Sequence, residues 1–384
     1  MNEIISQALE IAKRDLRRCY SDQGILTGSR NVYWSWDSFY ASLGSLEIGD
    51  YQVVKNNLLL YLKHQDKNGN LPKRIANPFY PLKYIGLPVS EHHTKQRPSY
   101  SSPYYTGRSV SQCPVFIIAL YSYLTKTNDW EFAKKHKQKL RKILEYISSR
   151  RYKNGLIKEN LGGGWAESIL KRGAVTYTNV CYIQSLKLAA EIFCKIGEEK
   201  LSQKYMDEHR KIKKTVNERL WIRKSNGYYS DWHGVFYHKQ FSCDGNVLAA
   251  IWDIADIKQI RQIDKHLNLA LKISEPPLAA SVGRYSYFRV FIINRLGGIK
   301  NYHIGFSWLW LGAIAAIFKK KIGKLTEAIN ILESISETIV KFDSVYEVYY
   351  NKKPVKTIFY KSEKPWAWSA GMFIHACHIV FKKE

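Results

Sequence analysis

PVFIIALYSYLTKTNDWEFAKKHKQKLRKILEYI, residues Pro114 to Ile147, sets two helical segments of opposite character side by side. The first, Pro114 to Leu124, is apolar or aromatic on nearly every side. The second carries Leu140, Ile143, Leu144 and Ile147 at helical spacing and covers the rest of its surface with lysine and arginine. A helix apolar all round has to be surrounded by protein, whereas one with a single apolar stripe lies on the outside. The contrast recurs along the chain. VCYIQSLKLAAEIF (Val180 to Phe193) and WSAGMFIHACHIVF (Trp368 to Phe381) are of the inner kind, and KLSQKYMDEHRKIKKTVNERLW (Lys200 to Trp221) is of the outer kind.

Periodic segments predict helices at roughly 2–20, 36–48, 51–66, 111–126, 129–149, 177–196, 198–220, 244–255, 257–272, 306–319, 324–341 and 365–381, while strand-like alternation is scarce. Alternating inner and outer helices are what an all-α (α/α)6 toroid requires. A solenoid is the rival arrangement, and no fixed period supports it. No Pro- or Ser-rich linker divides the chain, so a single domain is expected over residues 1–384. Two loops after outer helices look alike, QDKNGNLPKRI (Gln65 to Ile75) and RYKNGLIKEN (Arg151 to Asn160), and SNGYYSD (Ser225 to Asp231) shares their Asn-Gly turn. The stretch from Asn77 to Arg108 holds five prolines and is expected to be an irregular loop insertion.

With 384 residues and 45% hydrophobic content the chain lies far from disordered compositions. Its 59 Lys and Arg against 33 Asp and Glu give a net charge of +26, which suggests acidic partners such as nucleic acid, anionic lipid or an acidic polysaccharide. The densest basic run, Lys134 to Lys153, falls on an outer helix, so it is assigned to a solvated face. The six cysteines form no CxxC pair and no zinc spacing, and free thiols fit a reducing compartment. The first helix has no unbroken apolar core, and the most apolar run, Ile304 to Phe318, is shorter than the ~20 residues of a membrane span. These features predict a cytoplasmic protein with no membrane partner, and they disfavour nucleic acid.

Four segments are rich in aromatic residues, Ser29 to Gly44, Leu161 to Val180, Asn301 to Ala313 and Val345 to Gly371, and all but Asn301 to Ala313 place them beside carboxylates. Flat aromatic faces next to acids suit sugars, whose C–H faces stack on rings while their hydroxyls seek polar groups. Trp34, Trp36, Trp165, Trp308, Trp310 and Trp366 are the candidate stacking residues, with Arg30, Gln112 and His303 as hydrogen-bonding candidates. Asp231, Asp244 and Asn246 read as helix caps. No P-loop and no HExxH spacing occurs, so neither a cofactor nor a metal is expected. His375 and His378, three apart on an apolar helix, read as core histidines.

In their order along the chain these segments resemble the (α/α)6 inverting glycosidases, the group that includes trehalases, processing α-glucosidases and the amylo-α-1,6-glucosidase part of glycogen debranching enzymes. YWSWDSFYASLG with YLKHQDKNGNLPKRI is similar to that group's opening, SVSQCPVFIIALYSYL to its second inner helix, YHIGFSWLWLGAIAAI to its fifth, and VYEVY with WAWSAGMFIHA to its end. The resemblance implies a general acid at Glu167, in Trp165-Ala166-Glu167-Ser168, and a general base at Glu347. Glu stands where the group usually carries Asp, and Ala166 stands where another branch carries its acid. Asp37 matches an aspartate that holds sugar hydroxyls. The implied activity is inverting hydrolysis of α-linked gluco-configured oligosaccharides. An α-mannosidase, trehalase or invertase-like hydrolase is the alternative on this fold, and a silent glycan- or polyanion-binding toroid is a third reading.

Overall fold

The structure, a computed structural model, describes residues 2–77, 96–101, 107–223, 227–283 and 285–382. Each of the twelve periodic segments forms a helix: α1 (Glu3–Arg17), α2 (Ser35–Glu47), α3 (Tyr51–Lys63), α4 (Gln112–Thr127), α5 (Trp130–Ser149), α6 (Thr176–Lys195), α7 (Glu199–Arg219), α8 (Cys243–Ile251) and α9 (Ile257–Ile273), then α11 (Leu309–Lys321), α12 (Leu325–Phe342) and α13 (Ala367–Phe381). The sequence did not show α10 (Ile292–Leu296), which is too short for a periodic signal. Burial follows the patterning. From Gln112 to Leu120 every residue of α4 is buried, whereas α7 buries only Tyr205, Ile212 and Val216.

The apolar helices close a ring. Helix α2 packs on α4, α4 on α6, α6 on α8, α8 on α11, α11 on α13, and α13 returns to α2. That last contact rules out a solenoid, whose ends stay apart. The amphipathic helices α5, α7, α9 and α12 pack outside the inner helices they follow, as does α3 outside α2. Helix α1 packs on α13 and α12, so the two chain ends together make the sixth hairpin. The architecture is the expected (α/α)6 toroid.

The two ends of the ring differ. Inner helices lead to outer ones through the brief connections 48–50, 128–129, 196–198, 252–256 and 322–324. Outer helices return to inner ones through 18–34, 64–111, 150–175, 220–242, 274–308 and 343–366, which are far longer. The long connections lie at the end where the inner helices begin, and they contain all the strands among the described residues. Tyr33–Trp34 pairs with Arg74–Ala76, which pairs with Arg97–Ser99, and Tyr228–His233 pairs with Tyr237–Ser242. All the strands but these last two are two or three residues long and leave no alternation to read. Both Asn-Gly loops turn at a left-handed glycine, Gly69 and Gly155, while Ser225 and Asn226 of the third lie outside the described residues. So do residues 78–95 and 102–106 of the insertion.

Helices α2 and α13 meet backbone to backbone. A Cβ on Gly44 would lie 2.3 Å from the Gly371 carbonyl oxygen, and one on Gly371 would lie 2.6 Å from the Ala41 Cα. Neither neighbour is a flexible tip that could move aside. Gly371→Ala is therefore expected to lower the unfolding free energy by about 1–3 kcal/mol through overpacking, measured by urea denaturation.

Candidate active site

All six inner helices start at the end that carries the long connections, so side chains just before their first turns converge on the ring axis. Trp34, Trp36 and Asp37 come from the start of α2, Trp308 from the residue before α11, and Trp366 and Trp368 from the start of α13. They line one pocket with Trp165, Glu167, Tyr302, His303 and Glu347, which come from the connections. Glu167, Glu347 and Asp37, assigned from distant segments of the sequence, thus share a site walled by indole rings.

The loop that bears Glu167 is tied down on both sides. Trp165 Nε1 donates to Asp244 Oδ2 at 2.5 Å, and its ring meets Trp308, Trp310 and Trp368 edge-on at 5.0–5.5 Å. On the other side the Ser168 amide donates to His303 Nδ1 at 3.3 Å, with Ser168 Oγ 2.8 Å from the same nitrogen. An amide can only donate, so His303 Nδ1 is an acceptor and the neutral ring carries its proton on Nε2. Burial, reinforced by the charges of Lys171 and Lys73, holds this imidazole well below its ordinary pKa. The ring lies parallel to Trp308 with centroids 5.2 Å apart.

Glu167 itself pairs with a lysine that the sequence reading passed over. Lys73 is fully buried, and its Nζ donates to Glu167 Oε2 at 2.6 Å. The ammonium also sits 5.6 Å from the Trp34 ring centroid and 5.5 Å from that of Trp36. Among 59 basic residues nothing marks Lys73 in the sequence except its place in the NLPKRI loop.

Glu347 accepts hydrogen bonds from two phenols, Tyr302 on Oε1 and Tyr360 on Oε2 at 2.6 Å. Its pKa is raised, chiefly by burial, against the lowering effects of Arg30 and the two tyrosines. Asp37 is pushed well above the ordinary carboxylate range by burial and then by nearby Glu347. Its Oδ1 has no hydrogen-bond partner, and neither has the indole N–H of Trp36, Trp366 or Trp368. Four buried polar atoms without partners thus belong to the walls of one pocket.

The other candidates sit elsewhere. Arg30 pairs with Glu363, at 3.1 Å from Oε2, and its charge acts on Glu347. Gln112 does not line the pocket, because its amide nitrogen donates to Asn70 Oδ1, Leu71 O and Ser109 O and fastens the Asn-Gly loop to α4. Trp310 is fully buried behind the wall, stacked on Trp368 at 4.5 Å. Asp244, read as a cap, anchors Trp165. His375 and His378 lie at the far end of α13, each 3.1 Å from Glu47.

No protein-family model and no curated protein matches the sequence. Solved structures do. A rhamnosidase from Klebsiella oxytoca with rhamnose bound superposes with a TM-score of 0.72 and 15% identity, over 97% of this chain and 63% of that one. A GH78 family rhamnosidase from a Bacillus species gives 0.70 and 16%, over 97% of this chain and 34% of that one. A GH63 mannosylglycerate hydrolase from Thermus thermophilus, in complex with glucose, gives 0.69 and 13%, over 97% and 99%. The chain therefore spans less than two thirds of both rhamnosidases and nearly all of the mannosylglycerate hydrolase. At these identities the likeness establishes the toroid.

A carboxyl whose pKa is raised by folding destabilises the native state once the pH exceeds its unfolded value, and the penalty is complete above its folded one. Asp37→Asn removes that charge. It is expected to raise the melting temperature at neutral pH by a few degrees, a gain that shrinks as the pH falls towards 3.8, the ordinary aspartate value. Differential scanning calorimetry across pH measures both effects.

Proposed function

We propose that the protein is an inverting glycoside hydrolase acting on an α-linked sugar. The observation that carries this reading is the set of unpartnered buried polar atoms on Asp37, Trp36, Trp366 and Trp368, beside two further carboxyls in the same tryptophan-lined pocket. Leaving such atoms unpaired costs about 1–3 kcal/mol each, and a polyhydroxylated ring would satisfy them while its apolar faces stack on indole. The solved structures that share the fold carry the names of sugar hydrolases.

Inversion requires one carboxyl to protonate the leaving oxygen and another, ionised, to activate water on the opposite face of the ring. Glu347 is the base: its two phenol donors stabilise the carboxylate against burial and leave it oriented. Glu167 is the acid. Lys73 anchors its Oε2, so the proton that passes to the leaving oxygen is carried on Oε1 of the protonated carboxyl and is regained from solvent after each turnover. Asp37 binds a sugar hydroxyl. The gluco-configured end of an α-linked oligosaccharide is the substrate that the sequence resemblance favours. The neighbours' names support a second reading, an α-rhamnoside or α-mannoside.

Glu167→Gln and Glu347→Gln are each expected to lower kcat by at least about 10²-fold. Aryl glycosides with good leaving groups should restore much of the loss in the acid variant and little in the base variant. Full activity in either variant, or NMR detection of the retained anomer as first product, would overturn the reading. Tyr360→Phe removes a donor to ionised Glu347, so the acidic limb of the kcat/KM profile should move to higher pH by about one unit.

A further inference from the structure

Connections at the pocket end of the ring also turn large apolar side chains out to solvent. Val235 is 89% exposed, Phe288 81% and Ile358 92%, and each has a second exposed apolar residue close by in sequence, Phe236, Leu296 and Phe359 respectively. The three pairs come from connections 220–242, 274–308 and 343–366, all at the pocket end of the ring. They are tied to one another and to the site. Trp232 stacks on Tyr285 at 5.8 Å, and Thr357 Oγ1 donates to the Gly297 carbonyl at 3.0 Å. The Phe291 amide donates to the Ser168 carbonyl at 2.8 Å, one residue from Glu167. Tyr360, between Phe359 and Lys361, donates to Glu347.

The charge around these side chains is mostly positive. No Asp or Glu occurs between Glu275 and Glu327 or between Glu347 and Glu363. In those stretches Arg289, Lys300, Lys353, Lys356 and Lys361 are exposed, and Lys352, also exposed, pairs with Glu275 at 2.7 Å. Exposed apolar tips are a liability in water and mark an interaction surface when they gather. A second copy of this rim would bring cation against cation. Nucleic acid would satisfy the cations but leave Ile358, Leu296 and Val235 in water. The interface of an anionic bilayer takes both, with side chains buried at the acyl boundary and lysines among the head groups.

We infer that the pocket-end rim docks on the surface of membranes containing anionic lipid, with Ile358 and Phe359 as its leading tip. Among the described residues no helix is long and apolar enough to cross a membrane, so the mode is peripheral. A docking rim assembled from three connections leaves no long apolar run in the sequence, so it is not foreshadowed by the absence of a spanning segment there. Docking holds whatever sugar the pocket takes, and its test needs no substrate.

The full chain is sedimented with vesicles of phosphatidylcholine, with and without phosphatidylserine, at low and high salt. Binding is expected only with phosphatidylserine and should fade as salt rises. Ile358→Asp with Phe359→Asp should weaken it at least about tenfold, as should Lys353→Glu with Lys356→Glu and Lys361→Glu. Phe288→Asp, on a different connection, provides an independent reading should the hairpin variants misfold. Absence of lipid-dependent binding would overturn the inference. So would binding that the apolar variants leave intact, or light scattering that shows a dimer which those variants split.

Discussion

The contact between α2 and α13, in which Gly44 and Gly371 let two backbones touch, is the constraint on which the rest depends. It turns a row of helical hairpins into a ring. Once the ring is closed, the inner helices have protein on every side, which is why they are apolar all round. Closure also brings the start of α2 against the start of α13, so that Asp37 meets Trp366, Trp368 and Glu347, more than 300 residues away in the chain. The two termini become neighbours, and α1 completes the outer layer beside α13.

Direction along the ring axis then decides where chemistry can occur. Connections of two to five residues at one end leave no chain from which to build a site. The opposite end receives all the long connections and the amino ends of the six inner helices, whose partial positive charge favours acidic groups. Burial works against that favour, and the raised pKa values of Asp37 and Glu347 record the balance. Behind the pocket a stack of Tyr40, Trp368 and Trp310, with Trp165 edge-on, gives the carboxyls a rigid apolar backing. Rigid aromatic packing fixes the positions of these acids.

The site was partly legible in the sequence. Trp34, Trp36, Asp37, Trp165, His303, Trp308 and Trp366 stand in aromatic-rich segments, Glu167 and Glu347 are the acids that the family resemblance implies, and all of them line the pocket. Lys73, Tyr302 and Tyr360 were not legible. One lysine among 59 basic residues and two tyrosines among 27 carry no local mark, and each acquires its role only from the carboxylate it reaches across the ring. Gln112 and Trp310 show the converse. Each sits in a telling motif, but the fold directs Gln112 to an Asn-Gly turn and Trp310 to the core. The charge of +26 divides in the same way: the outer helices, to which patterning assigns the densest basic run, carry less than half of it, while the long connections carry more and the basic rim appears only when three of them are seen together.

By itself the sequence determined which segments are helices, which of them lie inside and which outside, and therefore a toroid. Hydrophobic periodicity is a local property, and local properties are written in consecutive residues. Only the tertiary structure decided that Glu167 is held by Lys73, that Glu347 is cradled by two tyrosines, and that exposed apolar tips from three connections share the pocket end of the ring. Those relations join residues from different connections, and the distance between them is set by ring closure, which no stretch of neighbouring residues encodes.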